Sequence, residues 1–270
     1  LYVSPTVWAW RPGRAAKIAR FTDRLLALLP FEPEAHRILG GPPTTYVGHP
    51  FLGRLAEVRA AAARSAPLDA GRRPVVMVLP GSRRSEVSRL MAPFGEALGR
   101  LAAEVGPIEV ILPAVDHVRA EIEARLADWP VTPTLVSGAA AKFAAFAAAD
   151  VALAASGTVT LELAFAGLPM VAAYRLDAIG RMMKRFIDVP APLRGLLPVR
   201  SILLPNLVVG DKAVPEFIDE DCRPQALAAA LAALLRDGPD RRRQIDAFAR
   251  FEARLRDGLA ATPGDAAADA

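Results

Sequence analysis

A strand-like apolar run that ends in a glycine turn constrains this chain most. Residues 75–79 are all aliphatic or methionine, which is typical of a strand buried on both faces of a parallel sheet. Pro80, Gly81 and Ser82 follow, and from Glu86 onward apolar residues recur at intervals of three and four, which predicts a helix. The sequence therefore predicts a strand, a tight turn and a helix at the carboxyl edge of a parallel sheet.

This turn has the chemistry of an anion site. A turn that opens a helix presents free backbone N–H groups, and the helix dipole favours negative charge there. Arg83 and Arg84 add formal positive charge next to Gly81 and Ser82. We therefore interpret the turn as a site for the phosphates of a nucleotide. The alternative is an ordinary strand-to-helix turn with two solvated arginines.

A second turn of the same kind follows the apolar run that ends at residue 155. Ser156 is suited to cap a helix, and Gly157 lets a ligand approach the backbone closely. Glu162 shares a helical face with Thr158, where a carboxylate can accept both hydroxyls of a ribose; otherwise it is a first-turn acid that complements the dipole. Because ligands of open α/β sheets bind outside the carboxyl ends of the strands, the two turns together predict a nucleotide site.

Several classes of protein are disfavoured by what the sequence lacks. No Lys-Ser or Lys-Thr follows the glycine turn and no GxGxxG is present, which argues against a P-loop NTPase and an NAD enzyme. A single cysteine, Cys222, excludes an internal disulfide and a cysteine-based metal cluster, and the three histidines lack metal-ligand spacing. The net charge of +4 is not concentrated in aromatic-interleaved clusters, so no nucleic-acid partner is expected. We expect no metal and no cofactor.

The alternation of short strands and helices predicts an α/β fold with more than one domain. The first segment shows strand signals near 2–4, 24–29 and 44–47, too few for a complete domain, and residues 175–220 read as irregular. Because the chain opens at Leu1 inside a strand-like stretch, we expect an N-terminal truncation. The expected parts are a remnant of a first Rossmann-like domain (1–54), a linker (55–73), one complete Rossmann-like parallel-sheet domain (74–236), a returning helix (237–258) and a disordered tail (259–270).

Five further residues have both a functional and a structural interpretation. Asn206 and Glu216 lie on proline-bounded stretches where a sugar's hydroxyls can be recognised, but both residue types also favour loops. Trp8 and Trp10 can line an apolar substrate groove or pack a domain interface. His49 can act as a general base or serve a structural role.

Basic and bulky apolar residues alternate between residues 174 and 197. This pattern is typical of segments that lie on anionic lipid surfaces, and equally of a helix with one core face and one solvated basic face. No apolar run reaches the roughly 18 residues that a membrane span needs.

Taken together, six stretches resemble the lipid-A-disaccharide synthases, glycosyltransferase family 19. They occur in the family's order and cover nearly all of the chain except its tail. The resemblance rests on residues 2–11 (YVSPTVWAWR), 47–50 (VGHP), 79–86 (LPGSRRSE), 156–162 (SGTVTLE), 203–207 (LLPNL) and 215–217 (PEF).

The resemblance implies a GT-B glycosyltransferase with two Rossmann-like domains. Its reaction is an inverting transfer of 2,3-diacylglucosamine from UDP-2,3-diacylglucosamine to lipid X, which gives the lipid A disaccharide 1-phosphate and UDP in lipopolysaccharide biosynthesis. Such enzymes of Gram-negative bacteria are cytoplasmic and peripheral to the inner membrane. The resemblance leaves a homodimer open.

Roles for single residues follow from the resemblance together with the turn chemistry. Arg83, the N–H groups of Gly81 and Ser82 and the N-terminus of the helix predicted over 158–167 would stabilise the UDP leaving group, and Glu162 would hold the ribose. Asn206 and Glu216 would orient the donor. The catalytic base is expected in an N-terminal part outside this chain, so the fragment alone should bind UDP with little turnover.

Two other functions compete with this interpretation. The first is another UDP-sugar enzyme of the GT-B type, such as a peptidoglycan glycosyltransferase or an epimerase of UDP-N-acetylglucosamine. The second is a non-catalytic module that binds a nucleotide or a lipid.

Overall fold

The computed structural model describes two compact units within the chain. The described residues are 1–9, 11–55, 57, 72–176, 190–259, 263, 264 and 266. The smaller unit comprises residues 1–55, 177–212 and 249–270, and the larger unit comprises residues 56–176 and 213–248. Trp10, most of the predicted linker and tail, and the centre of the basic stretch between 174 and 197 lie outside the described residues.

The smaller unit contains a two-stranded parallel sheet with short helices. Strand β1 pairs in parallel with β2, and Tyr2 adds a single bridge to Leu26. The predicted strand at 2–4 is therefore only one bridged residue. The elements here are α1 (Arg14–Ile18), β1 (Leu25–Ala27), α2 (Glu32–Ile38), β2 (Thr44–Tyr46) and a 3-10 turn (Pro50–Arg54).

The larger unit is built on a six-stranded sheet in which every pair is parallel. The strand order is β5-β4-β3-β6-β7-β8. Every residue of β3 and of β6 is buried, as expected for central strands that are covered on both faces. The strands are β3 (Val75–Leu79), β4 (Glu109–Pro113), β5 (Thr134–Val136), β6 (Val151–Ala155), β7 (Met170–Tyr174) and β8 (Glu216–Ile218).

Helices connect these strands and cover the sheet. The longest is α3, whose buried side chains Val87, Leu90, Phe94 and Leu98 recur at the spacing predicted from the sequence. Among the described residues, no helix is long and apolar enough to span a membrane. The helices of the larger unit are α3 (Arg84–Val105), α4 (Asp116–Leu126), α5 (Ala139–Ala148), α6 (Val159–Phe165) and, after α7 (Leu204–Val209) of the smaller unit, α8 (Pro224–Leu235). The last helix, α9 (Pro239–Arg256), has residues in both units, since the residues from 249 onward belong to the smaller one.

The strand order places a topological switch point in the middle of the larger sheet. Counted within this unit, the order is 3-2-1-4-5-6, so the first strand, β3, lies next to the fourth, β6. Chain connections leave these two strands in opposite directions, which opens a crevice at their carboxyl ends. Leu79 pairs with Ala154, so the turns that follow the two strands lie side by side.

The predicted α/β fold with a parallel-sheet domain is confirmed, but residues 175–220 are not wholly irregular. They include α7, which has Pro205 in its first turn and ends at Gly210 in a left-handed conformation (φ 71°). They also include β8, a three-residue strand that follows Pro215. Proline and glycine here mark the beginning and end of short elements rather than a loop.

Candidate functional site

A pocket of about 600 Å³ lies at the switch point of the larger unit. Its walls are the segments that follow β3, β4, β5 and β6 at the carboxyl edge of the sheet, where α/β proteins bind ligands. The lining residues used below are Gly81, Ser82, Arg83, Glu86, Asp116, Lys142, Ser156, Gly157, Thr158, Val159 and Glu162.

The donor groups of the turn after β3 are already bonded to a glutamate of α3, the helix that follows the turn. The backbone N–H groups of Ser82 and Arg83 donate to Oε2 of Glu86 at 3.1 and 3.3 Å, and the Arg83 guanidinium donates to Oε1 at 2.7 Å. Gly81 has φ +112°, and a Cβ there would come within 2.6 Å of the Glu86 Cβ, so only glycine fits. In this structure the Ser82 N–H group predicted to face a phosphate already serves an internal carboxylate.

The turn after β6 is open instead. No described residue accepts a hydrogen bond from the backbone N–H groups of Gly157, Thr158 or Val159. A Cβ added at Gly157 would meet nothing within 4 Å. The N-cap residue of α6 is Thr158 rather than the predicted Ser156, because the helix begins at Val159, so these groups are the unused donors at a helix start. Of the two turns predicted to form the nucleotide site, this one offers the unoccupied donors.

Glu162 lines the same pocket and is paired with a residue that the sequence analysis did not select. Lys142 Nζ, on α5, donates to Oε2 of Glu162 at 2.6 Å. Lys142 is the only charged residue in the otherwise apolar helix α5. A lone cation among alanines and phenylalanines was the sequence signal that could have identified it.

His117 is a second residue that the sequence analysis passed over. It lies in the first turn of α4, and its Nε2 is 2.6 Å from the backbone oxygen of Ser82. The imidazole therefore contacts the turn after β3, although His117 itself lies in the helix that follows the neighbouring strand, β4. Its position one residue after Asp116, at the beginning of a helix that follows a strand, was the available signal.

Glu216 lies away from this pocket. It begins β8, where it is in register with Ala172, two residues before the end of β7. It therefore sits within the sheet rather than on a loop at the carboxyl edge. With Asp221 and Arg223 it lines a separate pocket.

The remaining predicted residues belong to the smaller unit. Asn206 is buried in α7, and its backbone oxygen accepts from the N–H groups of Gly210 and Asp211. His49 caps the following 3-10 turn, because its Nδ1 accepts from the Phe51 N–H at 3.2 Å. Burial lowers the pKa of His49.

Trp8 is part of the smaller unit's core. It is 6% exposed and meets Phe31 edge-to-face at 5.4 Å. Its Nε1 donates to the buried carboxylate of Glu32 at 3.2 Å. These contacts lie within the smaller unit itself, whereas the two roles predicted for Trp8 were an apolar substrate groove and a domain interface.

Metal coordination has no evident place in the described part of the chain. Within those ranges, no three His, Cys, Asp or Glu side chains are grouped so that they could hold an ion. The pocket offers backbone N–H groups, two cations and three carboxylates. Such donors and acceptors are suited to the phosphates and the sugar hydroxyls of a nucleotide.

The fold and the pocket define a Rossmann-like α/β protein with backbone N–H groups, cations and carboxylates around a pocket at its switch point. A sequence model of the family described as lipid-A-disaccharide synthetase matches residues 1–269. The chain belongs to this family, which confirms the resemblance seen in its motifs.

Similar proteins carry the same name. The chain is 53% identical over 268 residues to a lipid-A-disaccharide synthase of Rhodopseudomonas palustris (strain HaA2), covering 99% of this chain and 65% of that protein. It is 50% identical over 251 residues to that of Bradyrhizobium diazoefficiens, covering 93% and 62%. The solved glycotransferase of kitacinnamycin aligns with a TM-score of 0.48 at 20% identity, over 87% of this chain and 51% of that one. The chain thus spans somewhat less than two thirds of the curated relatives it matches.

Proposed function

We propose that this chain is the nucleotide-sugar-binding portion of a lipid-A-disaccharide synthase, a GT-B glycosyltransferase. Family membership over residues 1–269 supports the proposal. The observation that carries it is the open turn at Gly157–Val159, which shares one pocket with the Glu162 carboxylate at the switch point. The proposed donor is UDP-2,3-diacylglucosamine and the proposed acceptor is lipid X.

The proposed reaction is an inverting transfer in which UDP leaves from the donor's anomeric carbon. The acceptor's 6-hydroxyl oxygen forms the new bond to that carbon and gives its proton to a base, while the bond to the diphosphate breaks. Negative charge then grows on the diphosphate. The N–H groups of Gly157, Thr158 and Val159, with the Arg83 guanidinium, would stabilise that charge, and Glu162 would hold the ribose.

The alternative UDP-sugar enzymes are not favoured, because the match is to the lipid-A-disaccharide synthetase family along nearly the whole chain. Asn206, Glu216, Trp8, Trp10 and His49 stay proposed substrate contacts. For Asn206 and Glu216 the proposed role is to orient the donor sugar.

Calorimetric titration with UDP tests the proposal. We expect saturable binding of one UDP per chain, and weaker binding of inorganic pyrophosphate because it lacks the ribose that Glu162 would hold. Absence of UDP binding would remove the basis of the assignment. If UDP binds but full-length relatives show no transfer from UDP-2,3-diacylglucosamine to lipid X, the chain is a binding module rather than part of a transferase.

We also propose that the smaller unit binds an anionic membrane surface through residues 11–24. This segment contains Arg11, Arg14, Lys17, Arg20 and Arg24, all exposed, against one acid, Asp23. Its five positive charges and one negative charge give +4, which equals the net charge of the whole chain. Phe21 projects from the same segment and is 74% exposed. A basic segment with an exposed aromatic side chain suits an anionic lipid interface.

Sedimentation with phosphatidylglycerol vesicles tests this membrane proposal. The double variant Lys17→Glu/Arg20→Glu should bind at least about thirtyfold more weakly, since each basic residue near such a surface contributes about 1 kcal/mol and each glutamate adds repulsion. The matched variant Arg236→Glu/Arg242→Glu makes the same charge change at exposed positions of the larger unit. Equal losses for the two variants would mean that net charge, rather than the 11–24 segment, governs binding.

A further inference from the structure

We propose that Lys142 is a positioning residue that holds the Glu162 carboxylate for the ribose hydroxyls and makes the site selective for ribonucleotides. The inference rests on the proposed function, because it assumes that the pocket binds a nucleotide. Lys142 Nζ lies 2.6 Å from Glu162 Oε2, and both side chains line the pocket. The two residues come from different helices, α5 and α6, and are 20 positions apart in the chain.

The ammonium group of Lys142 is itself held in place. Its Nζ lies over the Phe143 ring at 5.3 Å and is 6.0 Å from the centre of the Phe146 ring. Both rings are buried, with exposures of 7% and 2%. A cation over an aromatic face is attracted by the ring's negative potential. The two buried rings therefore fix the position of the Lys142 ammonium group, and the ammonium group in turn fixes the position of the Glu162 carboxylate.

The charge balance of the pocket gives Lys142 a second effect. Arg83 and Lys142 are the cations among the lining residues, against the acids Glu86, Asp116 and Glu162. Arg83 is already bonded to Glu86. Without Lys142, the excess of negative over positive lining residues would rise from one to two. A diphosphate would then approach an unneutralised carboxylate, which weakens its binding.

The paired carboxylate still has acceptor capacity for a ligand. Lys142 occupies Oε2, whereas Oε1 of Glu162 accepts from no described residue. An ionised carboxylate can accept several hydrogen bonds, so a pair of neighbouring hydroxyls can be bound while the lysine contact persists. A nucleotide that lacks the 2′-hydroxyl would leave part of this capacity unused.

The experiment compares UDP with 2′-deoxy-UDP by calorimetry on the 270-residue chain. Wild type should prefer UDP by about tenfold or more, the effect of losing a hydrogen bond to a charged group. Lys142→Met should weaken UDP binding by about tenfold and reduce the preference to within about threefold. Lys142→Arg should restore most of the preference, because it keeps a cation able to bond the carboxylate.

Lys212→Met is the matched control, because it makes the same chemical change at an exposed position outside the pocket. It should change neither the affinity nor the preference. Unfolding temperatures of the variants separate a loss of binding from a loss of folded protein.

The possible outcomes distinguish this inference from the proposed function. If wild type binds no UDP, the proposed function fails. If wild type prefers UDP and Lys142→Met keeps that preference, only the role of Lys142 is overturned. Ligand-observed NMR can also compare the binding of UDP with that of uridine. If Lys142→Met weakens the binding of UDP but not that of uridine, the lysine acts on the diphosphate, and its proposed role at the ribose is likewise overturned.

Discussion

Replacing Gly157 by valine is expected to abolish UDP binding while leaving the unfolding temperature unchanged. Gly157 lines the pocket, and a Cβ added there meets no atom within 4 Å, so the fold has room for a side chain. It is not among the glycines with positive φ, so valine requires no strained backbone. The added methyl groups would occupy the space in which a phosphate reaches the open N–H groups of Thr158 and Val159.

The expected loss of affinity is at least about a hundredfold, since several charge-assisted hydrogen bonds would be lost together. Calorimetry measures the affinity and thermal unfolding measures the stability of the same samples. Gly195→Val is the matched control, because Gly195 is equally open and lies in the smaller unit. If Gly157→Val binds UDP within about threefold of wild type, the open turn is not the phosphate site.

Gly81→Val would be a poor substitute for this experiment. Gly81 has φ +112° and no room for a Cβ next to Glu86, so valine there would disturb the fold itself. The two glycines looked alike in the sequence, since each follows a buried strand and precedes a helix. The structure separates them by geometry: Gly81 permits a tight turn beside Glu86, whereas a Cβ at Gly157 would meet no atom within 4 Å.

The sequence predicted where the pocket lies because the evidence for it is local. The buried runs that become β3 and β6, each followed by a turn and a helix, place both turns at one sheet edge once the strands are parallel. It was harder to predict which of the two turns has its backbone N–H groups already bonded within the protein. Glu86 reaches back to the turn as in a capping box, but Arg83 occupies the N-cap position where Ser or Thr usually signals that motif.

Partners far apart in the chain could not be predicted from local patterns. Lys142 and Glu162 meet through the packing of two helices on one sheet, and Trp8 meets Glu32 across 24 positions. Periodicity indicates which face of a helix or strand is buried. It does not indicate which residue on another element will pair with a polar side chain on that face. For Trp8 and Trp10 the sequence therefore left two roles open, lining a substrate groove or packing a domain interface. Of the two, only Trp8 lies within the described residues.

Removal of Glu32 should strongly destabilise the smaller unit. It is 3% exposed, and its carboxylate accepts from Trp8 Nε1 at 3.2 Å and from the backbone N–H groups of Leu28 and Leu29 at 3.1 and 3.0 Å. Glu32→Ala leaves these buried donors without an acceptor, and each buried donor that loses its partner costs roughly 1–3 kcal/mol of stability. Relief of the buried charge offsets part of that cost. We expect a net loss of about 3 kcal/mol in the free energy of unfolding, measured by urea denaturation.

Glu34→Ala is the matched control on the same helix. Glu34 is exposed and pairs with Arg37 at the surface, so its removal should leave the urea midpoint unchanged. Hydrogen exchange localises the effect: the Leu28 and Leu29 amides should exchange faster in Glu32→Ala and not in Glu34→Ala. Equal behaviour of the two variants would mean that the buried carboxylate does not organise this unit.

The pH dependence of the Glu32→Ala effect has a definite sign. Burial raises the pKa of Glu32 above its usual 4.5, against the lowering effect of the hydrogen bonds from Leu29, Trp8 and Leu28. The folded state therefore binds the proton more tightly than the unfolded state does. The stability that Glu32 contributes is fully present below pH 4.5 and declines as the pH rises through the raised pKa. The difference between wild type and Glu32→Ala should accordingly be larger near pH 4 than near pH 8, and a difference that grows with pH would contradict this account.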